Sequence, residues 1–146
     1  MAYKRFKYET TLTTDQANRS IAAFLIATDC RVLLHGIKIA PKGSTGASSP
    51  AEWVWGTHDA AGTASDDNTF YKLPPTFAQE VLTTARNTYT AEPTLTEVCK
   101  IHCHQQQQVF WTPPIQPFFL EETERWALKI VTNLAVEVDY EFYLEE

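Results

Sequence analysis

From Leu134 onward the apolar residues fall on every even position: Leu134, Val136, Val138, Tyr140, Phe142 and Leu144. The odd positions carry Glu137, Asp139, Glu141 and Glu145, with Ala135 and Tyr143 as exceptions. A period of two predicts a strand with one buried and one wet face. Its acidic outer face also discourages pairing with stray strands. Just upstream, Trp126, Leu128 and Ile130 alternate with Ala127 and Lys129. The link Thr132-Asn133 suits a two-residue turn, because Asn tolerates positive φ. The pattern therefore predicts a C-terminal hairpin.

Further strands are expected wherever β-branched and aromatic residues cluster. Tyr3 to Leu12 is one such stretch, and Arg31 to Ala40 reads as a buried strand. Gly36 inside the latter points to a bulge or a close backbone approach. Glu52 to Gly56 puts Trp53 and Trp55 on one face, and Val98 to His104 and Val109 to Thr112 complete the set. The stretches 43–50 and 60–68 are loops by composition. Two segments have helical spacing, Thr14 to Thr28 and Phe77 to Ala85, although short apolar runs do not separate helix from strand. Short strands joined by long polar loops predict an all-β chain, an antiparallel β-sandwich or jelly roll of about eight strands. Residues 1–146 form a single domain, with 1–12 as either an N-terminal arm or the first strand.

Composition narrows the picture. At 146 residues the chain suits one core, and 44% apolar content argues against disorder. The longest apolar run, Ile21 to Ala27, is far short of a membrane-spanning helix, and the N-terminus lacks the apolar stretch of a signal peptide. Three cysteines, Cys30, Cys99 and Cys103, do not make a disulfide framework and are expected to act as small buried hydrophobes. The net charge of −6 is uneven: residues 1–42 sum to +4 and residues 43–146 to −10. The acidic majority argues against nucleic-acid binding. The bland reading is a solvated surface; the sharper one is a basic N-terminal segment docking on an acidic neighbouring subunit.

Candidate chemistry is sparse. Alternation along Cys99 to His104 puts His102 and His104 on one face and Cys99, Ile101 and Cys103 on the other, so these ligands do not converge on one metal. His102-x-His104 resembles the cupin metal motif, but the flanking glycines are missing. His35, beside Leu33 and Leu34, reads as a hydrogen-bonded core histidine. His58-Asp59 lacks a nucleophile partner, and no G-x-S-x-G, phosphate loop or H-E-x-x-H occurs. No catalytic residue, metal or cofactor is expected. Trp53, Trp55, Trp111 and Trp126 fit either a core or an exposed binding row. Trp126 is assigned to the core by its alternation.

Four stretches resemble a family of small jelly-roll structural proteins of tailed bacteriophages. They are Ile21 to Thr28 followed by Arg31 to Gly43, Ala91 to Thr94 leading into the His102 strand, Gln108 to Pro113, and Glu121 to Glu124 leading into Trp126 and the terminal strand. The resemblance makes Ile21 to Thr28 a strand. It also implies a capsid decoration (cement) protein of the virion surface, assembled in the host cytoplasm, trimeric and clamping the major capsid protein. Its expected contacts are Lys4, Arg5, Lys7, Trp53, Trp55 and Trp111, with neither nucleic acid nor membrane as partner. The alternatives are a carbohydrate- or receptor-binding fibre domain, with Trp53 and Trp55 as an exposed row, and a cupin-like metal enzyme at His102 and His104.

Overall fold

A computed structural model describes residues 4–14, 21–42, 50–60, 62–66, 70–73, 80–132 and 136–146. None of these is helical. Twelve strands run in the order β1 (Arg5–Thr14), β2 (Ile21–Leu25), β3 (Val32–Pro41), β4 (Ala51–Thr57), β5 (Thr63–Asp66), β6 (Phe70–Leu73), β7 (Thr84–Ala91), β8 (Thr96–Cys103), β9 (Val109–Trp111), β10 (Phe119–Leu120), β11 (Arg125–Ile130) and β12 (Val136–Glu145). One sheet is ordered β10-β3-β12-β1-β6, with β9 also on β3; the other is β5-β7-β2-β11-β4-β8. Every described pairing is antiparallel. The chain is an antiparallel β-sandwich, as expected. Four strands, β5, β6, β7 and β10, exceed the expected set; β5 falls in a stretch read as loop.

The period-two pattern of β12 sends Val136, Val138, Tyr140, Phe142 and Leu144 into the core. They meet residues of both sheets there. Tyr8 of β1 stacks edge-on against Phe24 of β2 at 5.4 Å, and Phe24 meets Phe142 at 4.8 Å. Trp55 and Trp126 stack at 5.3 Å, and Trp53 Nε1 donates to the Tyr140 hydroxyl at 2.8 Å. Burial raises the Tyr140 hydroxyl pKa well above its ordinary value, so the hydroxyl stays protonated and able to accept that bond.

β3 carries a change of phase. Val32 and Leu34 face the core from even positions, Ile37 and Ile39 from odd ones. The β3–β12 register slips between Tyr143 and Leu144, which pair with Gly36 and Leu34 and leave His35 as the extra residue. The bulge absorbs one residue, so both halves of the strand bury their apolar side. Gly36 also provides close approach: a Cβ there would lie 2.7 Å from Cζ of Phe110. His35 is therefore not a core histidine. The bulge turns it outward, 44% exposed, and its Nε2 lies 3.3 Å from Glu145.

The predicted C-terminal hairpin is absent. β11 pairs with β2 and β4, whereas β12 pairs with β1 and β3 in the other sheet. Val131 N–H donates to the Glu52 carbonyl at 2.8 Å, and the Thr132 hydroxyl accepts the Glu52 N–H at 2.8 Å. These bonds keep Val131 and Thr132 on β4 past the end of β11; residues 133–135, which include the Asn133 of the expected turn, lie outside the described residues. A short polar link serves both geometries, and local sequence does not tell them apart.

The first helical candidate is also corrected: Ile21–Leu25 is a strand, and residues 15–20 lie outside the described ones. Of the second, 77–79 lie outside the described residues, 80–83 are not helical, and Thr84 and Ala85 open β7.

Candidate interaction face

β1 and β12 pair from Arg5 opposite Glu145 to Thr14 opposite Val136, so the basic N-terminal segment lies along the acidic terminal strand. The uneven charge is resolved within one chain. Arg5 meets Glu145 at 2.7 Å, Lys7 and Lys38 reach Glu141 at 3.5 and 3.3 Å, and Lys42 joins Glu137 at 2.8 Å and Asp139 at 3.2 Å. Docking of this segment on a neighbouring subunit is not needed to explain the asymmetry.

The outer face of the β3-β12-β1 sheet has two zones. The polar one is a trough of about 510 Å3 whose lining includes Glu9, Thr11, Lys38, Lys42, Asp139 and Glu141. Glu141 is held down at about 2, first by its hydrogen bond with the Glu9 carboxyl, its cross-strand neighbour, and then by Lys38 and Lys7. The Thr11 hydroxyl, donating at 2.6 Å, and then Lys42 lower the Asp139 pKa. Burial opposes ionisation of Glu145, but the Arg5 guanidinium and His35 outweigh it and hold its pKa below the usual range.

These shifts have a definite sign. In the unfolded chain the same carboxyls titrate near 4, so as pH falls the unfolded state takes up protons first. The stability they contribute is complete above about pH 5 and is lost as pH falls toward about 2. Urea midpoints measured between pH 7 and pH 3 are expected to hold and then drop below about pH 4.5, less steeply in high salt. A midpoint unchanged down to pH 3 would show that the network contributes nothing.

The second zone is apolar. Phe110 of β9 is 56% exposed and lies over Gly36, with its ring edge-on to Tyr143 at 5.6 Å. Leu73 and Tyr71 of β6 are 40% and 48% exposed. A hollow of about 260 Å3 between Leu73, Tyr143 and Phe110 is rimmed by Arg5 and His35. Lys7 Nζ sits 5.2 Å from the Tyr71 ring centroid, and Arg31 stacks over the exposed Phe119 at 4.8 Å. The result is an apolar stripe with both signs of charge at its edge.

Several expected contact residues change role. Trp53 and Trp55 share a face, but it is the core face, and both are fully buried. They cannot touch a partner or stack on a sugar, because β4 lies between β11 and β8 and its inner side fills the sandwich. Trp111 is half-buried against the core, and its neighbour Phe110 is the exposed ring. Lys4 is mostly covered, donating to the Glu80 carbonyl at 3.0 Å and pairing with Glu146 at 3.5 Å. Lys7 is committed to Glu9 and Glu141. Of the three cations only Arg5, at 69% side-chain exposure, is presented to solvent.

His102 of β8 and His104, one residue past its end, are both exposed, while Ile101 and Cys103 face inward. His102 pairs with Glu52 at 3.0 Å, and His104 Nδ1 accepts the Gln106 N–H at 3.1 Å. Among the described residues no three His, Cys, Asp or Glu side chains gather as a metal-ligand set. Cys103 is buried, Cys30 and Cys99 half-buried. Burial first, then Glu146, pushes the Cys30 thiol up to about 11.

The residues of the apolar stripe were not singled out from sequence. One signal was present: Tyr143 is the apolar exception on the acidic face of the terminal strand. No family model, curated protein or solved structure matches the chain. Fold and face together define it as an antiparallel β-sandwich protein with an apolar, charge-rimmed outer sheet surface.

Proposed function

We propose that the protein is a structural component of a tailed-phage virion, a decoration protein that associates with itself through the Phe110–Tyr143–Leu73 stripe and clamps the major capsid protein. Leaving aside β5, β6, β7 and β10, the sheets read β1-β12-β3-β9 and β2-β11-β4-β8. We take this order as a jelly roll, in line with the resemblance of the four sequence stretches. The observation that carries the reading is the exposed stripe, since contiguous apolar surface rimmed by polar groups marks association sites. Its occupant is a second copy of the chain: Arg5, His35 and Arg31 stand beside Glu145 and Glu121, so the rim offers both charges to a copy of itself. A trimer then presents three weak capsid contacts at once, which raises avidity through effective concentration.

Light scattering on a sizing column tests it. The expected mass is three times that of one chain. Phe110→Ser is expected to return it to that of one chain with the circular-dichroism spectrum unchanged, because Phe110 lies on the surface and anchors at interface centres dominate the energy. A wild-type chain that stays monomeric and also fails to bind phage capsids would sink the proposal.

A second reading, a carbohydrate- or receptor-binding fibre domain, is supported by the polar trough, where Gln108 and the hydrogen-bonded pair Thr11 and Asp139 present groups that a polyol hydroxyl could bond in exchange. A glycan screen reads it out; binding that Thr11→Val and Gln108→Leu abolish would favour it.

A further inference from the structure

We propose that the space lined by His58, Arg86 and Arg125 on the outer face of the β2-β11-β4 sheet is a site for one small species, water when His58 is neutral and a monatomic anion when its imidazole is protonated. His58 follows β4 directly, donates its backbone N–H to the Arg125 carbonyl at 3.1 Å, and is only 6% exposed. Its Nδ1 lies 2.6 Å from the Ala60 carbonyl oxygen, so Nδ1 carries the proton of the neutral ring and donates. Nε2 is then an acceptor, buried and without a protein partner. Arg125 donates through Nη1 to the Asp59 carbonyl at 3.1 Å, while its Nε–H is likewise buried without a protein partner. Both residues line one void of about 10 Å3, together with Ala23, Phe24, Leu25, Arg86 and Tyr89. That is room for a single water-sized species.

The donor pattern selects the ligand. With His58 neutral, the occupant must donate to Nε2 and accept from Arg125 Nε–H, and water does both. Once Nε2 is protonated, it and Arg125 Nε–H are both donors and the Tyr89 hydroxyl that lines the void can turn to donate, so a pure acceptor fits best. Burial is the largest influence holding the proton off His58; the Ala60 carbonyl then draws it on, Arg125 and Arg86 oppose it, and Asp59 favours it. The nearby Glu124 carboxylate is engaged elsewhere, accepting from Glu121 N–H at 2.9 Å and Trp126 Nε1 at 2.7 Å. An anion in the void therefore answers the His58 imidazolium and the Arg125 guanidinium, and its binding and His58 protonation favour each other. The size of the void admits fluoride, strains to take chloride, and excludes perchlorate.

The test is an NMR titration of the His58 ring in sodium fluoride, chloride and perchlorate at equal ionic strength, with His35, His102 and His104 as internal controls. The expected result is a His58 midpoint higher in fluoride than in perchlorate by about half a pH unit, roughly threefold tighter proton binding, with the controls unmoved. Arg125→Lys keeps the charge but removes the Nε–H and is expected to abolish the difference. A His58 midpoint equal in all salts, or a difference that survives Arg125→Lys, overturns the proposal.

Discussion

Phe142→Ala is expected to lower the unfolding free energy by about 3–5 kcal/mol, the cost of truncating a buried aromatic ring to alanine. Phe142 is fully buried and lies within 6.5 Å, ring centre to ring centre, of Tyr8, Phe24, Trp55 and Tyr140, at 6.1, 4.8, 6.1 and 6.4 Å. These rings come from β1, β2, β4 and β12, so a single side chain couples both sheets. Removing it takes away one edge-on contact with Phe24, worth about 0.5–1.5 kcal/mol beyond area burial, and three tilted ones, and the surrounding rings are too large to collapse into the space. Since domains of this size hold about 5–15 kcal/mol in total, that loss is a large share of the stability. Urea denaturation followed by tryptophan fluorescence measures this. A loss under about 1 kcal/mol would mean that the two inner faces are packed less closely than their ring geometry shows.

Glu146→Ala is expected to cost about 2–4 kcal/mol, because it strips a buried carboxylate from a cluster of donors. The side chain is 2% exposed. It accepts the Leu82 N–H at 2.6 Å, the Thr83 N–H at 3.3 Å and the Thr83 hydroxyl at 2.9 Å, with Lys4 Nζ at 3.5 Å. Its backbone closes the β1–β12 ladder in both directions with Lys4 at 2.9 Å. The carboxylate thus ties residues 82 and 83, which precede β7 in one sheet, to the end of β12 in the other. Glu146→Gln keeps one acceptor oxygen and should recover part of the loss. Hydrogen exchange at Leu82 and Thr83 separates the two effects: both amides should lose protection in Glu146→Ala well before the core strands do. Equal protection in wild type and variant would remove the latch from the account.

The contrast between these two residues shows where the sequence was readable. Phe142 sits in an unbroken period of two, and a strand's geometry alone sends alternate side chains to opposite faces. The same rule placed His102 apart from Cys103 and set Trp53 beside Trp55. Gly36 announced the bulge, since a lone glycine in a strand marks irregularity or close approach. Glu146 carried no such mark. Its partners at positions 82 and 83 are distant along the chain, and nothing local distinguishes a buried carboxylate from a solvated one. The strands β5 and β6 were missed for a related reason: they are short, and their ladders depend on neighbours far away in sequence.

The sequence by itself determined the all-β class, the sandwich and the inward and outward sides of most long strands, and it pointed to a bulge or a close approach at Gly36 in β3. All of these follow from side-chain periodicity and backbone sterics within a few residues. Only the tertiary structure decided that β11 and β12 belong to opposite sheets, that the basic N-terminal segment pairs with the chain's own acidic strand, that Trp53 and Trp55 fill the core and that Phe110 is the exposed ring. Each of those depends on which distant strand lies alongside. Alternation says that a side chain points to one of two faces; the second sheet decides which face is the core.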